Sequence, residues 1–235
     1  MRQLGGSIPV EEIRHLSREA NQSLLRDTMD IREEDWHGPS LLPGWTRAHV
    51  ATHLARSADG LRLVTEAWLA GEEASEPSAD ERFQALERGS ERSGLELQID
   101  LDTSATALTT TWNQVTDWHR PVRLLGRTRP LATLPVARLH EVIVHHLDLD
   151  CGFTPDQVPT AAAPWLLSWA HSRVRDLDRP AIRLESESGL TGVVGRGEVT
   201  ATVTGSDARL WAWLSGRAPL FGPDGSERSP LPLLA

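Results

Sequence analysis

The chain has 235 residues, with 24 basic against 33 acidic side chains and a formal charge of −9. Its 39% apolar content and 18 glycines are those of a folded globular protein of one large domain or two small ones. The acidic balance argues against a broad basic face for nucleic acid. No apolar run approaches the roughly 18 residues that span a bilayer, and no apolar N-terminal segment reads as a signal peptide. A single cysteine, Cys151, rules out an intrachain disulfide, so a cytoplasmic location is expected. There is no lysine and no tyrosine, so all 24 cations are arginine. Lysine bases, Schiff bases and tyrosine acids are thereby excluded.

Apolar residues at three- and four-residue steps (Val10, Ile13, Leu16, Ala20, Leu24) predict a first helix over 10–28. Thr46 is a candidate N-cap for a second helix running to about Leu69, with Val50, Leu54, Ala58, Leu61, Val64 and Trp68 inward and Gly71 as its stop. Residues 71–94 are polar and acidic and read as a long connection with one irregular helical piece. A third helix is expected from Leu95 to Trp118, with Leu101, Leu108, Trp112 and Val115 in the core. After an arginine- and proline-rich turn, Thr133 and Pro135 open a fourth helix that ends near Cys151 and Gly152. Four helices with one long connection suggest a bundle with a crossover.

Past Pro155 the texture changes. A helix over 164–177, alternating segments over 181–186 and 198–204, and a last helix capped by Ser206 through Leu214 describe a small α+β domain. The fold class expected is therefore α+β, with a helical bundle over residues 1–154 and a small domain over 155–235.

Five of the nine histidines fall in two short windows on predicted helices, His49/His53 and His140/His145/His146. Residues four apart share a helix face. Glu141 and His145 can therefore hold one ion together, and the same rule pairs His49 with His53. His140 and His145 are five apart and point differently, so this is not the His-Glu-x-x-His zinc motif. If the two helices meet, one histidine of the first window completes a His2Glu set. Three protein ligands with an open fourth position is the catalytic zinc pattern. Histidines packed in the core or at its rim are the alternative. Against that stands Glu141 amid Leu139, Val142 and Ile143, a carboxylate that needs a cation where no lysine exists.

The wording of the windows carries a resemblance. Leu41-Leu-Pro-Gly-Trp45-Thr-Arg-Ala-His49-Val-Ala-Thr-His53 and Arg138-Leu-His-Glu141-Val-Ile-Val-His145-His-Leu-Asp148 resemble the two ligand helices of the mycothiol-dependent maleylpyruvate isomerases, within the DinB-like four-helix superfamily. The resemblance implies zinc held by His53, Glu141 and His145 with water at the open position, and His49 as a neighbour of the site. It also implies mycothiol as cofactor, a small-molecule thiol ionised by the metal, and a small anionic or electrophilic substrate. The thiolate would add to the cis double bond of a maleyl-type substrate, and rotation and elimination would give the trans isomer, so that maleylpyruvate becomes fumarylpyruvate. An arginine of the C-terminal domain, matched here by Arg217, would grip a substrate carboxylate. The same machinery could instead serve a mycothiol S-transferase, or a non-catalytic metal-binding or regulatory bundle. A fourth protein ligand, His49 or Asp148, would close the site and favour a structural role.

Other signals are weaker. Asp148 and Asp150 could orient a ligand histidine, but a solvated helix end is the preferred reading. Trp165 and Trp169 fit core packing, as does Trp45, which could instead border the pocket. Arg120, Arg123, Arg127 and Arg129 read as an exposed basic turn, and Cys151 as structural. There is no Walker loop, dinucleotide-binding glycine motif or nucleophile elbow.

Overall fold

The computed structural model describes residues 8–75, 77–124, 127–221 and 227–231, which form two compact units. One comprises Val10–Phe153. The other begins at Thr154 and includes Ile8 and Pro9.

Among the described residues the first unit holds five α-helices: α1 Val10–Thr28, α2 Arg47–Ala70, α3 Ala79–Ser90, α4 Gly94–Trp112 and α5 Thr133–Asp148. Helix α2 starts where the Thr46 side chain accepts from the His49 N–H, and stops at Gly71, whose φ of 76° is cheap only for glycine. The expected irregular connection is a regular helix, α3, opened by reciprocal hydrogen bonds between Ser78 and Glu81. Its apolar pattern is faint because only Gly89 and Ser90 are buried. A Cβ on Gly89 would collide with the Thr52 methyl group, so the missing side chain lets α3 lie against α2.

Helix α4 ends at Trp112, short of the expected Trp118. The hydroxyls of Thr103, Thr109 and Thr110 bond back to carbonyls one turn earlier, a habit that weakens a helix. Beyond Asn113 the chain turns so that Trp118 meets Trp112 edge-on at 6.1 Å. The arginine-rich turn is a β-hairpin, β1 Pro121–Leu124 paired antiparallel with β2 Arg127–Pro130.

Contacts close a ring: α1 packs on α5, α5 on α2, α2 on α4 and α4 on α1, with α3 outside against α2. Ala58, Leu61, Leu108, Trp112, Leu131 and Leu134 form one shared core cluster, against which Val64 and Trp68 pack half-buried. Every residue of α5 except Glu141 is buried. A helix buried nearly all round lies at the centre of its unit, and the one side chain spared burial is a carboxylate.

In the second unit, α6 Ala163–Val174 packs on α7 Asp207–Leu214. Strand β3 Pro180–Ser186 is central, with β4 Thr191–Val194 antiparallel on one side and β5 Arg196–Gly205 parallel on the other. Short β4, which carries Gly192, is a strand the alternation did not reveal. Two further short strands, β6 Leu220–Phe221 and β7 Glu227–Arg228, pair antiparallel. Trp165 and Trp169 are buried. Among the described residues no helix is long and apolar enough to cross a membrane.

Candidate metal centre

Helix α5 presents Glu141 and His145 one turn apart, and α2 brings His53 opposite them. His53 Nε2 lies 3.2 Å and His145 Nε2 3.6 Å from Glu141 Oε2. One ligand-type atom from each residue falls within 4.8 Å of the others, and no other such trio occurs among the described residues. The two imidazoles meet edge to face with centroids 4.7 Å apart. Burial is graded: 9% of the His145 side chain is exposed, against 28% for Glu141 and 36% for His53. The cluster is therefore open on the His53 side.

The electrostatics are those of a tightly paired group. Burial works to raise the Glu141 pKa, but hydrogen bonds and charge from His145 and His53 outweigh it and hold the carboxyl well below the usual range. Burial works to lower the His145 pKa, yet its bonds to Asp148 and Glu141 leave it raised. Asp148 Oδ2 stands 2.8 Å from His145 Nδ1 and is 1% exposed. Asp148 is therefore no solvated helix end. Asp148 thus engages Nδ1 of the ring and leaves Nε2 toward Glu141, an arrangement common behind metal-bound histidines. Standing on the far ring nitrogen, Asp148 is not a fourth member of the cluster. Asp150 is the exposed residue, paired with Arg47 and with a φ of 51°.

The loop before α2 frames this cluster, and each residue of Trp45-Thr-Arg has a part in it. The Trp45 ring lies 5.4 Å from that of His53, half-buried at the rim. Thr46 caps α2. Arg47 Nε donates to the Leu149 carbonyl at 2.8 Å, and the Leu41 N–H to the Asp148 carbonyl at 2.9 Å, which satisfies the C-terminal end of α5. The sequence pattern did not assign a role to Arg47, and the i,i+3 spacing of His145 and Asp148 was the available signal for the buried carboxylate.

Other candidate residues lie elsewhere. His49 Nδ1 accepts from the Thr46 N–H at 3.3 Å, which leaves Nε2–H toward Glu87, 3.4 Å away on α3. It thus completes the cap of α2 and is not part of the trio. His146 stacks on Phe153 at 4.0 Å beside Asp27. Its pKa falls to about 4 through burial, which the Asp27 charge opposes. The half-buried Cys151 thiol is pushed up to about 11 by burial and by Asp27, the opposite of an activated nucleophile. Arg120 lies over the Trp68 ring at 5.0 Å. Arg217 belongs to the second unit, where its Nη1 donates to the Ser215 carbonyl.

A helical unit with a histidine–glutamate–histidine cluster on its central helix and a neighbour, followed by a small α+β unit, defines a class of two-unit chains. A sequence profile of the mycothiol maleylpyruvate isomerase N-terminal domain matches residues 17–150. The chain belongs to that family. Two solved structures share the fold. The crystal structure of the mycothiol-dependent maleylpyruvate isomerase has 24% identity and a TM-score of 0.86, covering 98% of this chain and 99% of that one. A variant of that enzyme with one histidine replaced by alanine has 23% identity and a TM-score of 0.87 over the same shares. No curated protein sequence matches the chain.

Proposed function

We propose that this chain is a zinc- and mycothiol-dependent enzyme that converts a maleylpyruvate-type cis substrate to its trans isomer, with the metal held by His53, Glu141 and His145. The observation that carries the reading is the convergence of two imidazole nitrogens and a carboxylate oxygen backed by buried Asp148. The donor set suits zinc. Nitrogen and oxygen ligands at about 2.0–2.2 Å in a tetrahedron stand roughly 3.3–3.6 Å apart, close to the two spacings to Glu141 of 3.2 and 3.6 Å. Three protein ligands leave one position for a ligand from outside. Bound there, zinc supplies the charge that keeps a coordinated thiol ionised at neutral pH.

The chain's own residues set the conditions for that chemistry. Glu141 brings the one negative charge of the trio, so a divalent ion keeps a net positive charge toward the incoming ligand. Asp148 holds the His145 ring in one tautomer and one orientation. Trp45, whose ring lies 5.4 Å from that of His53, lends an apolar surface to the rim of the open side. Arg217 is assigned the substrate carboxylate, which a guanidinium binds with two parallel hydrogen bonds. Its assignment rests on the resemblance of the Leu214-Ser-Gly-Arg217 segment.

The test begins with metal content of protein purified without chelator, measured by inductively coupled plasma mass spectrometry. About one zinc per chain is expected, and loss of it in Glu141→Ala. Isomerisation of maleylpyruvate should then require both zinc and mycothiol, and should fall in Arg217→Ala with zinc retained. A chain that takes up no metal after reconstitution overturns the reading. Consumption of thiol without a trans product would instead identify an S-transferase.

A further inference from the structure

Two arginines outside the trio reach from one of its helices to the main chain of the other. Arg138, one turn before Glu141 on α5 and 1% exposed, donates through Nη1 to the Leu54 carbonyl of α2 at 2.8 Å. Leu54 directly follows His53. Arg47, in the first turn of α2, donates through Nε to the Leu149 carbonyl at the end of α5 at 2.8 Å, and through Nη2 to the Asp150 carbonyl at 3.3 Å. The two ties run in opposite directions and bracket the trio. On α2, His53 lies between Arg47 and Leu54. On α5, Glu141 and His145 lie between Arg138 and Leu149, which stand roughly 16 Å apart at 1.5 Å per residue.

The kind of acceptor matters. A bond to a side chain fixes a rotamer, whereas a bond to a helix carbonyl fixes the helix itself. Apolar packing between α2 and α5 has no preferred direction, so it tolerates small slides and rotations. Hydrogen bonds weaken steeply on misalignment and do not. Arg138 is also an expensive residue to bury. The carboxylates whose charge reaches it, Glu141 and Asp59, are engaged with His53 and His145 and with Arg56 and Arg62. Its Nε has no partner, and burial pushes its pKa down to about 10. A guanidinium buried without a close opposite charge costs free energy, and packing alone needs only an apolar side chain of that length. What the arginine adds is a link to two neighbours: the Leu54 carbonyl on α2 and, through Nη2 at 3.0 Å, Asn21 Oδ1 on α1.

We propose that Arg47 and Arg138 are positioning residues for the metal centre: their bonds to main-chain carbonyls hold α2 and α5 in the register that brings His53 to Glu141 and His145. The inference rests on the reading of that trio as a metal centre. Charge and geometry make opposite demands at this place, and that gives the test its sign. Both arginines are cations beside a site for a cation, so by charge alone the removal of either should tighten zinc binding. Loss of register weakens it, because the three ligand atoms no longer stand ready at the spacing the ion requires.

The zinc dissociation constant of the full-length protein is measured by chelator competition for wild type, Arg47→Met and Arg138→Met, each first shown by its Tm to be folded. It should rise about 10-fold in either variant. Arg62→Met removes the same charge from α2, but Arg62 pairs with Asp59 and Glu66 of its own helix, and the wild-type value is expected. Because a change at a buried arginine can prevent folding, Arg47→Met, at a side chain 17% exposed, decides if Arg138→Met does not fold. Crystal structures of metal-free wild type and Arg47→Met supply a readout that needs no zinc. The His53 Nε2 to Glu141 Oε2 separation, 3.2 Å here, should open beyond hydrogen-bonding reach in the variant. Zinc binding unchanged or tighter in the folded variants would overturn the proposal. A wild type that takes up no zinc would overturn the metal reading instead. The metal-free structures then decide the positioning role, which fails if the separation stays at its wild-type value.

Discussion

His145 and His146 are adjacent on α5 and both buried, yet the two faces of the helix treat them oppositely. On one face His145 stands between Glu141 and Asp148, and its pKa is raised despite burial. On the other, His146 lies flat on Phe153 with one partly exposed carboxylate, Asp27, and its pKa falls to about 4. Burial disfavours the charged form of either ring, and the number and geometry of carboxylates decide the outcome. Consecutive residues on a helix project about 100° apart, so one position of offset separates a paired imidazole from a packed one.

The contrast can be broken at several points. The largest effect is expected for Glu141→Ala, which removes the charge on which both His53 and His145 converge. Bound zinc should drop from about one per chain to background in elemental analysis, with the helical circular dichroism spectrum kept. Retained zinc would dissociate the cluster from the metal.

A large effect is also expected on the His146 face. With the Cys151 thiol moved up from 9.0 to about 11, its thiolate fraction at pH 8 is about a hundredfold below that of a free thiol. Iodoacetamide should therefore label native Cys151 about a hundred times more slowly than the unfolded chain, as followed by mass spectrometry. Labelling at the unfolded rate would show that this face is not sealed.

Asp148→Asn tests the support behind His145. It keeps the shape but removes the charge, and zinc affinity in a chelator competition should fall about 10- to 100-fold. The same competition on His146→Phe should give the unchanged wild-type value, because His146 faces away from the trio.

The smallest effect concerns stability. The folded pKa of His146 lies below its ordinary 6.5, so its contribution is present above about pH 6.5 and is lost as pH falls toward 4. In metal-free protein, denaturant titrations over that range should show a shallower acid loss for His146→Phe than for wild type. Parallel curves would mean that His146 stays protonated or solvated in the fold.

What was legible beforehand followed from local rules. Helix α1 shows a clean apolar stripe, and α2 has both its cap, Thr46, and its stop, Gly71, in the sequence. The i,i+4 spacing of Glu141 and His145 is a property of any helix. Helix α3 was obscured because its exposed faces leave little apolar period to read, and its Ser78/Glu81 capping box was the remaining clue. The early end of α4 and the β1–β2 hairpin were hidden because Trp118 folds back onto Trp112, a contact that local periodicity does not encode.

By itself, then, the sequence determined the α+β class, most helix limits and the pair Glu141/His145, because these depend on neighbours within a turn or two. The resemblance of the two windows pointed to His53 rather than His49, but only the tertiary structure brought His53 across to that pair, left His49 in the cap of α2 and buried Asp148 behind His145. Each of these depends on burial or on residues far apart in sequence. What settles them is the packing of α1, α2 and α4 around α5, where burial leaves most charges to find a partner across a helix boundary.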